Sequence, residues 1–308
     1  MRSKTSFKVL KLVIGAVAMI LALSLTTVMA AEPGTVTMTV TAVAKKGSSV
    51  PPVKNGDVQS YLNKERTQIA GWKPGEKLFL AVLIDDSLES NIASQWNDLK
   101  AFLASQPDTT YISVSYSRNG EAVVAQDFTN NHELAAKALR IPIGNGGAFT
   151  SPYLALLDLM KRLPASGERR SILLFSSGID YLRGNFPTSP DLTSAIERAQ
   201  KENINVWSIY APDAGHRSRR FFIASQAQSN LSQLAEETGA ESYYLGLGEP
   251  VTFKPYFEEI SMHLNNQYLL TFNGSGEKKG RFERFRVTTE LPNVEFLHAS
   301  EVFLPPAQ

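Results

Sequence analysis

Asp85, Ser87 and Glu89 stand at alternate positions in Ile84-Asp85-Asp86-Ser87-Leu88-Glu89-Ser90, a cluster of acids and hydroxyls. Such side chains offer hard oxygen donors, which suit a divalent cation, and a pair of carboxylates can also serve acid–base chemistry. The cluster follows Leu78-Phe79-Leu80-Ala81-Val82-Leu83-Ile84, an apolar run of strand length. A run that is continuously apolar, rather than alternating, predicts a parallel strand buried on both faces. Its polar tip then lies at the carboxyl end of the strand, where open α/β sheets place their ligand sites.

The elements that must hold this tip follow from periodicity. After the strand at 78–85, a helix is expected over 91–105, with Ile92, Trp96, Leu99 and Leu103 on one face. Strands at 110–116 and 121–127 flank the turn Arg118-Asn119-Gly120. A short helix over 132–139 leads to the Gly-rich loop Gly144-Asn145-Gly146-Gly147 and to a helix over 151–163, with Pro152 in its first turn. Strands at 170–176, 204–210 and 241–245 alternate with helices at 191–202, 229–238 and 253–264. This alternation predicts an α/β fold with a doubly wound, mainly parallel sheet. The chain ends differ. Residues 35–49 open with period-two alternation, short strands are expected at 56–62 and 67–72, and antiparallel strands are expected from Tyr268 onward, the first over 268–272. Both ends therefore form a small β attachment. The expected segments are 1–30, 31–75, 76–266 and 267–308.

Residues 1–30 read as a signal peptide. Arg2, Lys4, Lys8 and Lys11 precede the apolar stretch Leu12–Leu25, and Val28-Met29-Ala30 presents small residues for cleavage after Ala30. The expected location is secreted or periplasmic, with membrane attachment only if this segment stays uncleaved. The leader carries four of the 31 basic residues and none of the 30 acids. The remainder thus has 27 basic and 30 acidic residues, a net charge of −3. That balance gives no support for nucleic-acid binding. The absence of cysteine excludes lipid attachment through cysteine and disulfide bonding.

Three separated pieces resemble the von Willebrand factor A family. Asp85-x-Ser87-x-Glu89 is similar to its Asp-x-Ser-x-Ser motif, with Glu89 in the last serine's place. Thr150, after Gly146-Gly147-Ala148-Phe149, matches the threonine before a helix. Leu173-Leu174-Phe175-Ser176-Ser177-Gly178 matches the third piece, with Ser177 in place of its aspartate. The whole chain after the leader resembles the VWFA-related secreted proteins of Acidobacteria. The resemblance implies a Mg2+ or Mn2+ site of Asp85, Ser87, Glu89, Thr150 and Ser177, with the same inventory of two carboxylates and three hydroxyls but two places exchanged. Two readings stand: a rearranged site in which Glu89 supplies the charge missing at Ser177, or a site that holds no ion. The implied function is a protein-interaction module.

On the same side, Arg217, Arg219, Arg220 and Phe221 in the segment 211–222 could recognise a partner presenting an acidic group, with Phe222 expected in the core. Asp86 and Asp180 are expected to be solvated. Enzyme signatures are missing: no Gly-x-Gly-x-x-Gly follows the first strand and no Gly-x-Ser-x-Gly occurs. His132, His216, His263 and His298 show no ligand spacing, and His263 reads as structural. The alternative from another class is a metal-assisted hydrolase using Asp85 and Glu89.

Overall fold

The computed structural model describes residues 34–45, 49–144, 150–165, 167–183, 189–214, 220–244, 252–276 and 279–306. Strands β1 (Thr35–Ala44), β2 (Val58–Leu62), β3 (Glu65–Thr67) and β4 (Ile69–Pro74) lead into β5 (Leu78–Asp85). The α/β part continues with α1 (Trp96–Ala104), β6 (Thr110–Arg118), β7 (Glu121–Thr129), α2 (His132–Lys137) and α3 (Pro152–Met160). It then runs through β8 (Arg169–Ser176), α4 (Pro190–Lys201), β9 (Ile204–Tyr210), α5 (Phe221–Glu237), β10 (Ser242–Tyr243) and α6 (Lys254–Asn265). Strands β11 (Gln267–Asn273), β12 (Arg281–Thr289), β13 (Val294–His298) and β14 (Glu301–Leu304) complete the described chain.

The central sheet has six strands in the order β10-β9-β8-β5-β6-β7. All neighbours are parallel except the β6–β7 hairpin. Every residue of β5 is buried, because both faces of the sheet are covered. Leu80, Val82 and Ile84 point to one side, where Leu99 and Phe102 of α1 and Phe257 and Ile260 of α6 pack. Ala81 and Leu83 point to the other, against Leu156 and Leu159 of α3 and Leu192 and Ile196 of α4. This is a doubly wound α/β fold. Its strand order reverses beside β5, which pairs with β6 on one edge and with β8 on the other. The carboxyl ends of β5 and β8 therefore flank the switch point where such sheets form their crevice.

The β attachment is larger than the sequence implies. Among the described residues it comprises two four-stranded sheets, β13-β1-β11-β4 and β14-β12-β2-β3, built from both ends of the chain. Val36, Met38 and Val40 share one apolar core with Phe272, Phe285, Val287 and Val302.

Two helices depart from expectation. The segment expected as one helix over 91–105 is a 3-10 stretch at Ser90–Gln95 followed by α1. Ser90, Asn91 and Ser94 are residue types whose side chains compete for nearby backbone groups and disfavour regular α-helix. Helix α5 begins at Phe221 rather than near Ser229. Its buried stripe is Ile223, Ala224, Ala227, Asn230, Leu231, Leu234 and Ala235. The spacing is helical, but after Ile223 the first half of the stripe is Ala224, Ala227 and Asn230, which weakens the apolar signal.

Candidate functional site

Asp85 ends β5 at the switch point and is 0% exposed. The backbone N–H and the hydroxyl of Ser87 both donate to its Oδ1, at 3.0 and 2.8 Å. Its Oδ2 accepts from the Ser176 hydroxyl at 3.0 Å. This arrangement follows from register. Ile84 faces Phe175 across the parallel β5–β8 pair, so Asp85 and Ser176, the next residues, leave the sheet on the same side. Burial pushes the Asp85 carboxyl up to about 6, against the serine hydrogen bonds that favour its charge, and the nearby charge of Asp213 acts in the same direction as burial.

Asp213 was not among the residues singled out by the sequence pattern. It is 1% exposed and lies three residues beyond β9. The loop that carries it runs antiparallel to the segment after β5. Leu88 bridges Asp213, the N–H of Glu89 donates to the Pro212 carbonyl at 3.1 Å, and the N–H of Ala214 donates to the Ser87 carbonyl at 2.9 Å. A second buried carboxylate is thus strapped against the Asp-x-Ser tip. The signal was present in the sequence: like Asp85, Asp213 closely follows a strand-length apolar run, Ile204-Asn205-Val206-Trp207-Ser208-Ile209-Tyr210.

The other residues of the pattern take up distinct positions. Thr150 is buried two residues before α3, whose first turn is capped by the Ser151 hydroxyl. The Thr150 carbonyl accepts from the Tyr181 N–H at 2.9 Å, which ties it to the loop after β8. Ser177 is buried in that loop, and its hydroxyl accepts from the Ile179 N–H at 3.4 Å. Gly178 follows with φ +70°, and its N–H donates to the Ser176 hydroxyl at 3.0 Å. Glu89 is half-buried, and its carboxylate accepts from the Asn91 amide at 3.1 Å. Residues 145–149 of the Gly-rich loop lie outside the described residues.

Two acids expected in solvent are buried instead. Asp86 is held bidentate by the Arg140 guanidinium at 2.6 and 2.7 Å, and that guanidinium stacks 3.7 Å above the Tyr116 ring. The N–H of Gly144 donates to the Asp86 carbonyl at 3.0 Å, so the ion pair anchors the start of the Gly-rich loop. Asp180 accepts from the Ser189 hydroxyl at 2.9 Å and from the Arg183 N–H at 3.0 Å. Both acids order loops around Asp85, and burial is tolerated because each carboxylate is paired or hydrogen-bonded.

Arg217 and Arg219 lie outside the described residues. Arg220 is exposed directly before α5. Phe221 and Phe222 open that helix at 76% and 75% exposure. Phe222 therefore does not enter the core: the buried stripe of α5 starts at Ile223 and Ala224, and the two phenylalanines fall on the opposite face.

No protein-family model matches the sequence. No curated protein matches it either. Similar solved structures include an aerotolerance-related membrane protein from Bacteroides fragilis, at 12% identity and a TM-score of 0.46, covering 61% of this chain and 98% of that one. A von Willebrand factor type A protein from Catenulispora acidiphila is 10% identical with a TM-score of 0.44, covering 90% of this chain and 74% of that one. The manganese-loaded TRAP protein of Plasmodium vivax is 13% identical with a TM-score of 0.42, covering 82% of this chain and 100% of that one. No helix among the described residues is long and apolar enough to cross a membrane.

Proposed function

We propose that this chain is a secreted or periplasmic von Willebrand A-type interaction module of the VWFA-related kind, whose top face carries an altered cation site. The observation that carries this reading is the buried Asp85 at the switch point, fixed by Ser87 and Ser176, with Asp213 as a second buried carboxylate at its side. All the donors are carboxylate or hydroxyl oxygens, the set a hard divalent ion takes, so the residues present fit Mg2+ or Mn2+. Asp85, Ser87, Thr150 and Ser177 would hold it, with Glu89 or Asp213 providing the carboxylate that Ser177 lacks. When bound, the ion supplies positive charge at the surface for an acidic group of a partner.

The protein's own part is positioning. Ser87 and Ser176 fix the Asp85 carboxylate, the 212–214 strap holds Asp213 beside it, and the Asp86–Arg140 pair anchors the neighbouring loop. Arg217, Arg219, Arg220 and Phe221 supply the partner contact: forked guanidinium donors suit a carboxylate, and an exposed phenylalanine adds apolar area. The hydrogen bonds to Asp85 among the described residues come from serines alone.

The experiment is capture from envelope extract with the chain lacking its leader. Binding should fall with salt, because exposed charges are screened beyond about 8 Å at physiological ionic strength. It should also fall when Arg217, Arg219 and Arg220 are changed together to serine. Capture that is insensitive to salt, to EDTA and to the triple change would refute an interaction site on this face.

A further inference from the structure

We propose that Glu241, Glu259 and His263 form a second metal site, for zinc or a similar first-row ion, at the edge of the sheet between β10 and α6. Glu259 and His263 are four residues apart on α6 and so share a face. Glu241 immediately precedes β10, the edge strand beside β9. One ligand atom from each of the three lies within 4.8 Å of the others.

His263 directs this cluster toward a ligand. Its Nδ1 is buried and has no hydrogen-bond partner. It lies 3.6 Å from Glu241 Oε2, too far for a hydrogen bond. That separation is close to the edge of a tetrahedron, about 3.3 Å, when metal–ligand bonds are about 2.0–2.1 Å. The ring is set in place by stacking on Trp207, with centroids 5.5 Å apart and planes 30° apart. The Tyr243 hydroxyl donates to Glu241 Oε2 at 3.2 Å, the kind of outer hydrogen bond that orients a ligating carboxylate.

Electrostatics agree with the geometry. Burial lowers the proton affinity of His263, outweighing the opposing charge of Glu259. Metal ions bind the neutral imidazole, the form that burial favours here. Glu241 is pushed up by burial. Among the described residues neither Glu241 nor Glu259 is paired with a lysine or arginine, and a divalent ion would supply that positive charge. One imidazole and two carboxylates suit zinc, cobalt or nickel better than magnesium, and three protein ligands leave a further position open. The Glu241 side chain is 37% exposed, which gives an ion a way in.

The test uses the full chain stripped with EDTA and titrated with ZnCl2 by calorimetry. CoCl2 is then followed by absorption and by tryptophan fluorescence, since the site touches Trp207. With Asp85→Asn as the background, which disables a cation site at the carboxyl end of the sheet, one zinc ion per chain should bind, and cobalt should quench emission reversibly. The Glu241→Gln/Glu259→Gln double variant should bind at least tenfold more weakly. Asp85→Asn should leave this binding unchanged, which separates it from any cation at the top of the sheet. If the double variant is poorly folded by circular dichroism, Glu259→Gln alone decides, again with a tenfold loss expected. No zinc binding by the stripped wild type, or equal binding by the glutamine variants, would overturn the proposal.

Discussion

Asp85→Asn is expected to flatten the pH dependence of stability of the metal-free protein between pH 5 and 7. The Asp85 carboxyl rises from 3.8 to about 6 on folding. A raised folded value means that the folded state holds the proton more tightly than the unfolded chain does. The resulting stabilisation is complete below 3.8 and is lost as pH rises through 6. The two-unit shift sets a ceiling of roughly 3 kcal/mol. Between pH 7 and pH 5 the folded state takes up nearly one proton that the unfolded state does not, which stabilises it by about 1.4 kcal/mol, or tenfold in the folding equilibrium. The asparagine variant loses this term while keeping the shape and an acceptor for Ser87. Urea unfolding midpoints in EDTA at pH 5, 6 and 7 measure it, and the difference between wild type and variant cancels the other acids. Parallel curves for the two proteins would refute the claim that burial dominates at Asp85.

Other predictions concern the supports of the site. Arg140→Met should destabilise the protein by about 2–3 kcal/mol, because Asp86 is left buried and uncompensated while the arginine itself is partly exposed. Adding Asp86→Asn should recover part of that loss, measured by chemical denaturation. Gly178→Ala should destabilise by more than about 1 kcal/mol. Its φ is +70°, and a Cβ there would lie 2.6 Å from the Ala227 carbonyl oxygen. Because Gly178 follows Ser177, this variant should also weaken Mn2+ binding.

Much of the fold was legible because its signal is local. The run Leu78–Asp85 reads as a strand buried on both faces, and alternation with helices implies a doubly wound sheet. The start of α5 was obscured because its stripe uses Ala224, Ala227 and Asn230, while the large apolar residues Phe221 and Phe222 face solvent. At the site, Asp85 and Ser87 were legible from spacing alone, since two residues apart in one tip suffice to bring them together. Asp213 and Arg140 were not, because each reaches the tip through long-range pairing: a strap after β9 in one case and a guanidinium 54 residues from Asp86 in the other. The Glu241–His263 pairing escaped for the same reason. Only the i,i+4 spacing of Glu259 and His263 lies within one element, and a single such pair on a helix carries little information.

The most direct test of a cation at the top of the sheet is a Mn2+ titration followed by thermal unfolding, carried out in the Glu241→Gln/Glu259→Gln background. A ligand selective for the folded state stabilises it by about 2.7 kcal/mol at a hundredfold excess over its Kd, a rise of several degrees in Tm for a chain of this size. Wild-type top-face residues should show that rise, Asp85→Asn should abolish it, and Asp213→Asn and Glu89→Ala should reveal which carboxylate completes the site. No rise with the native top face, or a rise that survives Asp85→Asn, would contradict it.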